Sequence, residues 1–294
     1  MTQQQQRWLV VLSMLALYFI WGSTFLAMRY ALESFPPFMM AALRFLISGV
    51  LLYGYLRMRG APRLSFQQWR SSLIIGTLMM CMGNAFVAYA EQWVASGAAA
   101  MVIATVPLWT VVFSSFWGHR SHKREWLGIA VGIVGVIVLN MDGNLRASPM
   151  GTAALFVAAA SWALGSVLGK HMKTAGGAMS SASQMLAGGG VLVVVSLLHG
   201  ERWTTGPAAS PTLRAILAMV FLVIFGSLVA YSAYLYLLRT VRPALATSYA
   251  FVNPLVALLL GAWLVGEQVS GCQMLAMLII TISVALVLSV NHDA

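Results

Sequence analysis

Residues 94–118, VASGAAAMVIATVPLWTVVFSSFWG, and residues 241–265, VRPALATSYAFVNPLVALLLGAWLV, are two copies of one pattern. At an offset of 147 residues, Val94, Ala99, Pro107 and Leu108 fall on Val241, Ala246, Pro254 and Leu255. Both prolines sit near the middle of an apolar run, where proline lacks the N–H a helix needs and its ring crowds the preceding turn. Each run is long enough to cross a bilayer, and segments that cross one satisfy their backbone groups as helices. A proline at membrane depth then leaves a carbonyl unserved and the helix bent. Broken helices at corresponding places in two halves point to the binding site of a transporter.

The whole composition agrees with a polytopic membrane protein. Hydrophobic residues make up 60% of the 294 and charged residues 8%, with a mean hydropathy of +0.85. A soluble domain needs about 25% charged residues to cover its surface. Ten apolar runs are expected to span: Trp8–Leu32, Pro37–Leu56, Ser71–Ala90, Gly97–Trp117, Trp126–Met141, Gly151–Met172, Ala178–Leu198, Leu213–Leu238, Ala244–Val265 and Gly271–Val290. The first follows a polar leader, MTQQQQR; it is too long for a signal-peptide core and no small-residue cleavage site follows, so it reads as a retained span.

A net charge of +10 and a pI near 10.1 invite a nucleic-acid partner. The location of the charge removes that motive. With both termini on one side, twelve of the 17 basic residues fall on that side and four on the other, leaving Arg44 inside a span. This bias sets both termini in the cytoplasm. Cys81 and Cys272 form no CxxC or zinc spacing, so neither a disulfide framework nor a metal is expected. The string GSVLGK ending at Lys170 is one spacer short of a phosphate loop and is followed by His171, so no ATP site is expected. No cofactor is implied.

The duplication extends beyond the prolines. Trp21 and Arg29 correspond to Trp162 and Lys170 at an offset of 141, and Ala42, Arg44 and Leu46 to Ala182, Gln184 and Leu186 at 140. Asn84 corresponds to Tyr231 at 147. Five spans per half is an odd number, so the second half enters the membrane from the opposite side. The fold class is therefore an all-α integral membrane protein of ten transmembrane helices in two inverted five-helix repeats, residues 8–141 and 149–290.

WGSTFLAMR, LRFLISGVLL, ASGAAAMVIATVPLWTVVFS, ALATSYAFVNPLVALLLGAWLVGEQ and the closing GEQVSGCQMLAMLII together resemble the duplicated domain of the EamA family in the drug/metabolite transporter superfamily. The likeness covers nearly the whole chain. It implies a bacterial inner-membrane exporter of amino acids or other small metabolites, with a central cavity between the halves, and within the family the aromatic-amino-acid exporter type. The chain departs from the pattern where span four ends in GHRSHKRE, without the acid that Glu267 supplies in the second half.

Candidate pathway residues are polar, aromatic or helix-breaking groups at membrane depth. Pro107 and Pro254 are hinge candidates, with tolerated packing kinks as the alternative. Trp21 and Trp162 offer a flat wall and one N–H donor each, or else pack helices. Asn84, Gln184, Tyr231 and Asn253 need either an interhelix bond or a wet cavity; Tyr89, Tyr234 and Tyr249 are weaker candidates of the same kind. Arg44 is the charged intramembrane residue, for which a salt bridge, a substrate carboxylate or snorkelling compete. Trp8, Trp69, Trp93, Trp117 and Trp126, at span ends, read as interface anchors. Gly128-xxx-Gly132 and Gly165-xxx-Gly169 read as close helix contacts.

The leading expectation is a secondary exporter of aromatic or other neutral amino acids, or similar small metabolites, working by alternating access as a monomer or homodimer in contact with lipid. A multidrug or other metabolite exporter or facilitator of the same fold is the alternative. An intramembrane enzyme would need HExxH, GxSxG or paired aspartates, which the chain lacks. A scaffold would leave mid-span prolines and polar groups unexplained.

Overall fold

The structure, a computed structural model, describes residues 3–118, 123–141, 148–202, 210–241, 249–266 and 268–288. His119, His122, Ala246 and Glu267 lie outside the described residues. Among those described, ten helical spans follow one another: α1 (residues 3–31), α2 (Pro37–Met58), α3 (Phe66–Ala90), α4 (Ser96–Ser115), α5 (Lys123–Met141), α6 (Pro149–His171), α7 (Ala178–Leu198), α8 (residues 213–240), α9 (residues 249–265) and α10 (Gly271–Leu288). Seven are long and apolar enough to cross a membrane, and α5, α9 and α10 carry shorter apolar stretches. Outward faces expose side chains such as Ile47, Leu51, Ile133 and Leu278, a surface suited to acyl chains.

The spans sit where hydropathy puts them to within a few residues, the largest shifts being at α1 and α3, which start five residues earlier than expected, at Gln3 and Phe66; the expected bounds at Ala244 and Val290 lie outside the described residues. The polar FQQWR reads as loop by hydropathy alone, but Ser65 and Gln68 form a reciprocal capping box that starts the helix there. The two prolines also differ from each other. In α4 the helix is interrupted at Ala104–Thr105, and Pro107 lies in the first turn of the second piece, a position that needs no N–H. In α9 the helix runs unbroken from Tyr249 to Leu260 through Pro254.

Contacts between equivalent residues establish the inverted repeat. A Cβ on Gly49 would stand 2.9 Å from Leu186 Cγ, and one on Gly189 would stand 2.9 Å from Leu46 Cγ. Leu46 and Gly49 become Leu186 and Gly189 at the offset of 140, so the two contacts exchange under a two-fold rotation. Because 46 meets 189 and 49 meets 186, α2 and α7 run antiparallel, as copies inserted in opposite senses must. The fifth helix of each half pairs the same way: Ser283 Oγ in α10 donates to Gly128 O in α5 at 2.7 Å, and Gly135 packs on Ile280.

Small residues set these separations. Gly76 in α3 and Gly188 in α7 meet backbone to backbone, a Cβ on either reaching 2.5 Å from the other helix's carbonyls. Gly132 makes room for Leu108 and Gly165 for Met79, as the glycine spacing leads one to expect. At one end, Glu201 accepts from Phe38 N at 3.0 Å, Met39 N at 2.7 Å and Ser196 Oγ at 2.7 Å, so a carboxylate of the second half caps α2 of the first.

Helices α3 and α8 each contain a π-helical stretch, Thr77–Ala85 and Leu222–Val229, overlapping at the repeat offset; α1 has another at Ala16–Trp21. Such turns carry an extra residue per turn and frequently mark functional sites.

Candidate functional site

Between the halves lies a central cavity. Helix α1 gives it Trp21, Thr24, Phe25 and Met28, the i, i+3, i+4 and i+7 positions of one face. Arg44 of α2, Gly83 and Asn84 of α3, Ile103 and Val106 of α4, Trp162 of α6 and Tyr249 and Asn253 of α9 complete most of the lining. A larger chamber adjoins it, sharing Val106 and Tyr249 and extending past Pro107, Thr110, Gln184 and Tyr231 to Lys170. A charged vestibule with Arg29, Glu33, Glu91 and Arg214 shares no lining residue with either among the described residues. The break in α4 thus sits at the waist between cavity and chamber: Ile103 lines the first, Val106 both, Pro107 the second.

Five aromatic side chains meet at that waist. Trp21 stands edge-on to Trp162 at 5.7 Å between ring centroids and to Tyr249 at 5.0 Å, with Tyr234 at 5.2 Å. Tyr231 joins through Trp162 at 6.4 Å and Tyr234 at 6.3 Å. The tryptophans are repeat equivalents, so their contact brings the two halves together. Their N–H groups differ in use. Trp21 Nε1 donates to Gly226 O in the π-helical stretch of α8 at 3.1 Å, whereas Trp162 Nε1 lies buried near the hydroxyls of Tyr234 and Tyr249 without a straight hydrogen bond to either.

The polar groups form two equivalent ties. Arg44, buried at 2% exposure, donates from Nε to Ser227 Oγ at 2.8 Å and from Nη1 to Asn84 Oδ1 at 3.1 Å. In the other half, Tyr231 donates its hydroxyl to Gln184 Oε1 at 2.5 Å, and Gln184 Nε2 donates to Ser180 Oγ at 3.0 Å. Asn253, with its amide nitrogen turned to the carbonyls as hydrogen bonding requires, donates to Leu17 O and Tyr18 O at 3.1 Å, tying α9 to the π-helical stretch of α1.

Of the residues singled out in the sequence, the structure brings Trp21, Arg44, Asn84, Trp162, Tyr249 and Asn253 to the central cavity and Pro107, Gln184, Tyr231 and Tyr234 to the chamber. Tyr89 and Pro254 line neither. Tyr89 lies five residues past Asn84, about 140° around the helix, and stacks on Phe38 at 5.5 Å beside Trp93 and His199. Pro254 is buried next to Asn253, which alone of the pair reaches the cavity. Thr24, Phe25, Met28 and Ser227 escape sequence reasoning. The first three share a helical face with Trp21, but α1 is apolar on several faces and offers no polar stripe to mark it.

Two inverted five-helix repeats enclosing cavities at their interface, with a proline-broken helix at the waist, define a membrane transporter. The chain belongs to the EamA-like transporter family, whose model matches residues 8–141 and again residues 149–289. It is 46% identical over 276 residues to the Escherichia coli K12 protein named "Uncharacterized inner membrane transporter YedA", covering 94% of this chain and 89% of that one. A second Escherichia coli K12 protein, named "Probable amino-acid metabolite efflux pump", is 25% identical over 274 residues, covering 89% of each chain. A solved crystal structure with 22% sequence identity superposes with a TM-score of 0.67 over 95% of this chain and 96% of that one, which supports the fold.

Proposed function

We propose that the chain exports amino acids, aromatic and other neutral ones, or similar small metabolites, from the bacterial cytoplasm across the inner membrane by alternating access. The repeats, 8–141 and 149–290, rock about the waist with both termini in the cytoplasm, and Lys170 marks the chamber as the cytoplasmic approach. The observation that carries the reading is the meeting of Trp21 and Trp162, equivalent residues of opposed repeats, at the junction of cavity and chamber. Flat apolar walls with few polar groups suit a small ligand with an apolar body. The probable amino-acid metabolite efflux pump among the relatives supports the amino-acid class. One chain supplies every lining residue, so a monomer suffices for the site, and lipid surrounds it.

The test is counterflow in proteoliposomes loaded in turn with each of the twenty amino acids. Exchange of labelled phenylalanine, tryptophan or leucine is expected. Exchange of none of the twenty sinks the amino-acid reading, and exchange of a drug or nucleoside instead selects the other exporter reading.

A further inference from the structure

Among the described residues the central cavity carries one formal charge, and it is positive. Arg44 uses Nε on Ser227 and Nη1 on Asn84 and, at 3.9 Å, on Met28 Sδ, and its Cζ stands 5.0 Å from the centroid of the Phe45 ring, while Nη2 makes no hydrogen bond among the described residues. Nη2 would lie 2.9 Å from a Cβ at Gly226, so a glycine in α8 leaves the guanidinium its place. The bond to Asn84 occupies that amide's acceptor oxygen and leaves its NH2 group without a partner among the described residues. Among the described residues, no Asp or Glu lines the central cavity or the adjoining chamber.

A purely structural role accounts for the bonds of Arg44 but not for its charge. The second repeat makes the same tie with a neutral pair, Gln184 and Tyr231. A buried cation without a counter-charge is costly in a low-dielectric interior. The face of the Phe45 ring offsets part of that cost, and an entering anion would offset the rest.

Building on the exporter reading, we infer that Arg44, with the Asn84 amide beside it, is the carboxylate receptor of the central cavity, and that the substrate class is a monocarboxylate with an apolar or aromatic body. The free Nη2 of Arg44 and the NH2 group of Asn84 are the two donors a planar monoanion would take; a phosphate dianion would leave a net negative charge in the cavity. Trp21, Phe25, Trp162 and Tyr249 supply the walls for the body. An ammonium group finds ring faces there and the neutral oxygens of Thr24, Tyr249 and Asn253, but no carboxylate among the described residues, so the amino group of an amino acid is the lesser handle and the carboxylate the required one.

The test uses purified wild-type protein in detergent, with tryptophan fluorescence and thermal shift read against 3-phenylpropionate, phenylalanine, phenylalaninamide and benzylphosphonate. The first two are expected to bind, with phenylalaninamide weaker by about tenfold or more, a difference of about 1.4 kcal/mol. Arg44→Gln, which copies the neutral tie of the second repeat, is expected to lose carboxylate binding by the same factor, and Arg44→Lys to keep part of it. Binding of the amide as tight as the acid, no carboxylate binding up to millimolar concentrations, tighter binding of the phosphonate, or an unchanged Arg44→Gln affinity overturns the inference. If Arg44→Gln does not fold, the wild-type ligand series decides alone. Phenylalanine counterflow separates this from the exporter reading: wild-type counterflow undiminished in Arg44→Gln removes the receptor and leaves the exporter, whereas Arg44-dependent binding of 3-phenylpropionate without counterflow of any amino acid does the reverse.

Discussion

Arg44 in α2 donates through Nη1 to Oδ1 of Asn84 in α3 over 3.1 Å, and the second repeat makes the matching bond between Tyr231 and Gln184 over 2.5 Å. The positions correspond at offsets of 140 and 147 residues, so each half joins its second and third helices by one polar bond at the same place. The geometry has been kept while the chemistry has diverged. The first repeat presents donors and a charge, and the second a neutral phenol and amide.

Asn84→Asp places a carboxylate at the atom that now accepts from Arg44. The internal ion pair then competes with any carboxylate entering the cavity. Folding stability is expected to hold or rise, because a buried cation gains its counter-charge. Binding of 3-phenylpropionate is expected to weaken about tenfold or more, since a hydrogen bond to a charged group is worth about 1.5–3 kcal/mol. Fluorescence titration and thermal melting of the same preparation check both; a variant that melts like wild type and still binds tightly would move the anion site elsewhere.

Tyr231→Phe removes the other bond while keeping the ring that packs on Trp162 and Tyr234. It leaves Gln184 Oε1 buried without a donor, and the loss is expected to be about 1 kcal/mol, within the range of polar interhelix bonds in membranes. Gln184→Leu in the Tyr231→Phe background should recover part of it. A double-mutant cycle by denaturant unfolding in micelles measures the coupling, and a value indistinguishable from zero would mean the bond carries no stability.

The ten spans, the duplication and the unusual status of Arg44 are legible in the residues because hydropathy, paired prolines and a charge inside an apolar run each have a direct physical meaning. The ties between Arg44 and Asn84, and between Gln184 and Tyr231, are not. Correspondence between repeats says which positions are alike, not which helices face each other. The π-helical stretches have no periodic signature either, and they rotate residues after them, which contributes to Tyr89 lying with Phe38 and His199 instead of beside Asn84. Pro254 shows the limit of reading a residue type alone: the same proline interrupts α4 but is carried inside a continuous α9, beside the Asn253 bonds to α1.

The exchanged contacts of α2 and α7 make a symmetric prediction. Gly49→Val and Gly189→Val each press a branched side chain against a leucine and its backbone nitrogen on the opposite helix, 3.0 and 3.1 Å from the Cβ position. Overpacking of this kind costs about 1–3 kcal/mol. The two variants are expected to lose similar stability in thermal unfolding, and Leu186→Ala or Leu46→Ala should relieve the matching glycine variant. A large loss at one site and none at the other would show that the close approach is not shared across the two-fold axis.

Pro107→Ala is expected to slow transport without unfolding the protein. The alanine restores an N–H that can reach the Ile103 carbonyl, and it removes a residue about 3 kcal/mol less favourable than alanine inside a helix. Both effects favour closing the gap at Ala104–Thr105 into one straight α4. Straightening would swing Ile103 and Val106, which line the central cavity, relative to Pro107 and Thr110, which line the chamber. Pro254→Ala has less to change, because α9 is already continuous and Pro254 lines neither cavity. Counterflow rates in proteoliposomes should therefore fall about tenfold for Pro107→Ala, equivalent to about 1.4 kcal/mol of barrier, and about threefold or less for Pro254→Ala. Equal losses would make the prolines a matched pair of hinges, and an unchanged Pro107→Ala rate would reduce the break in α4 to a packing detail.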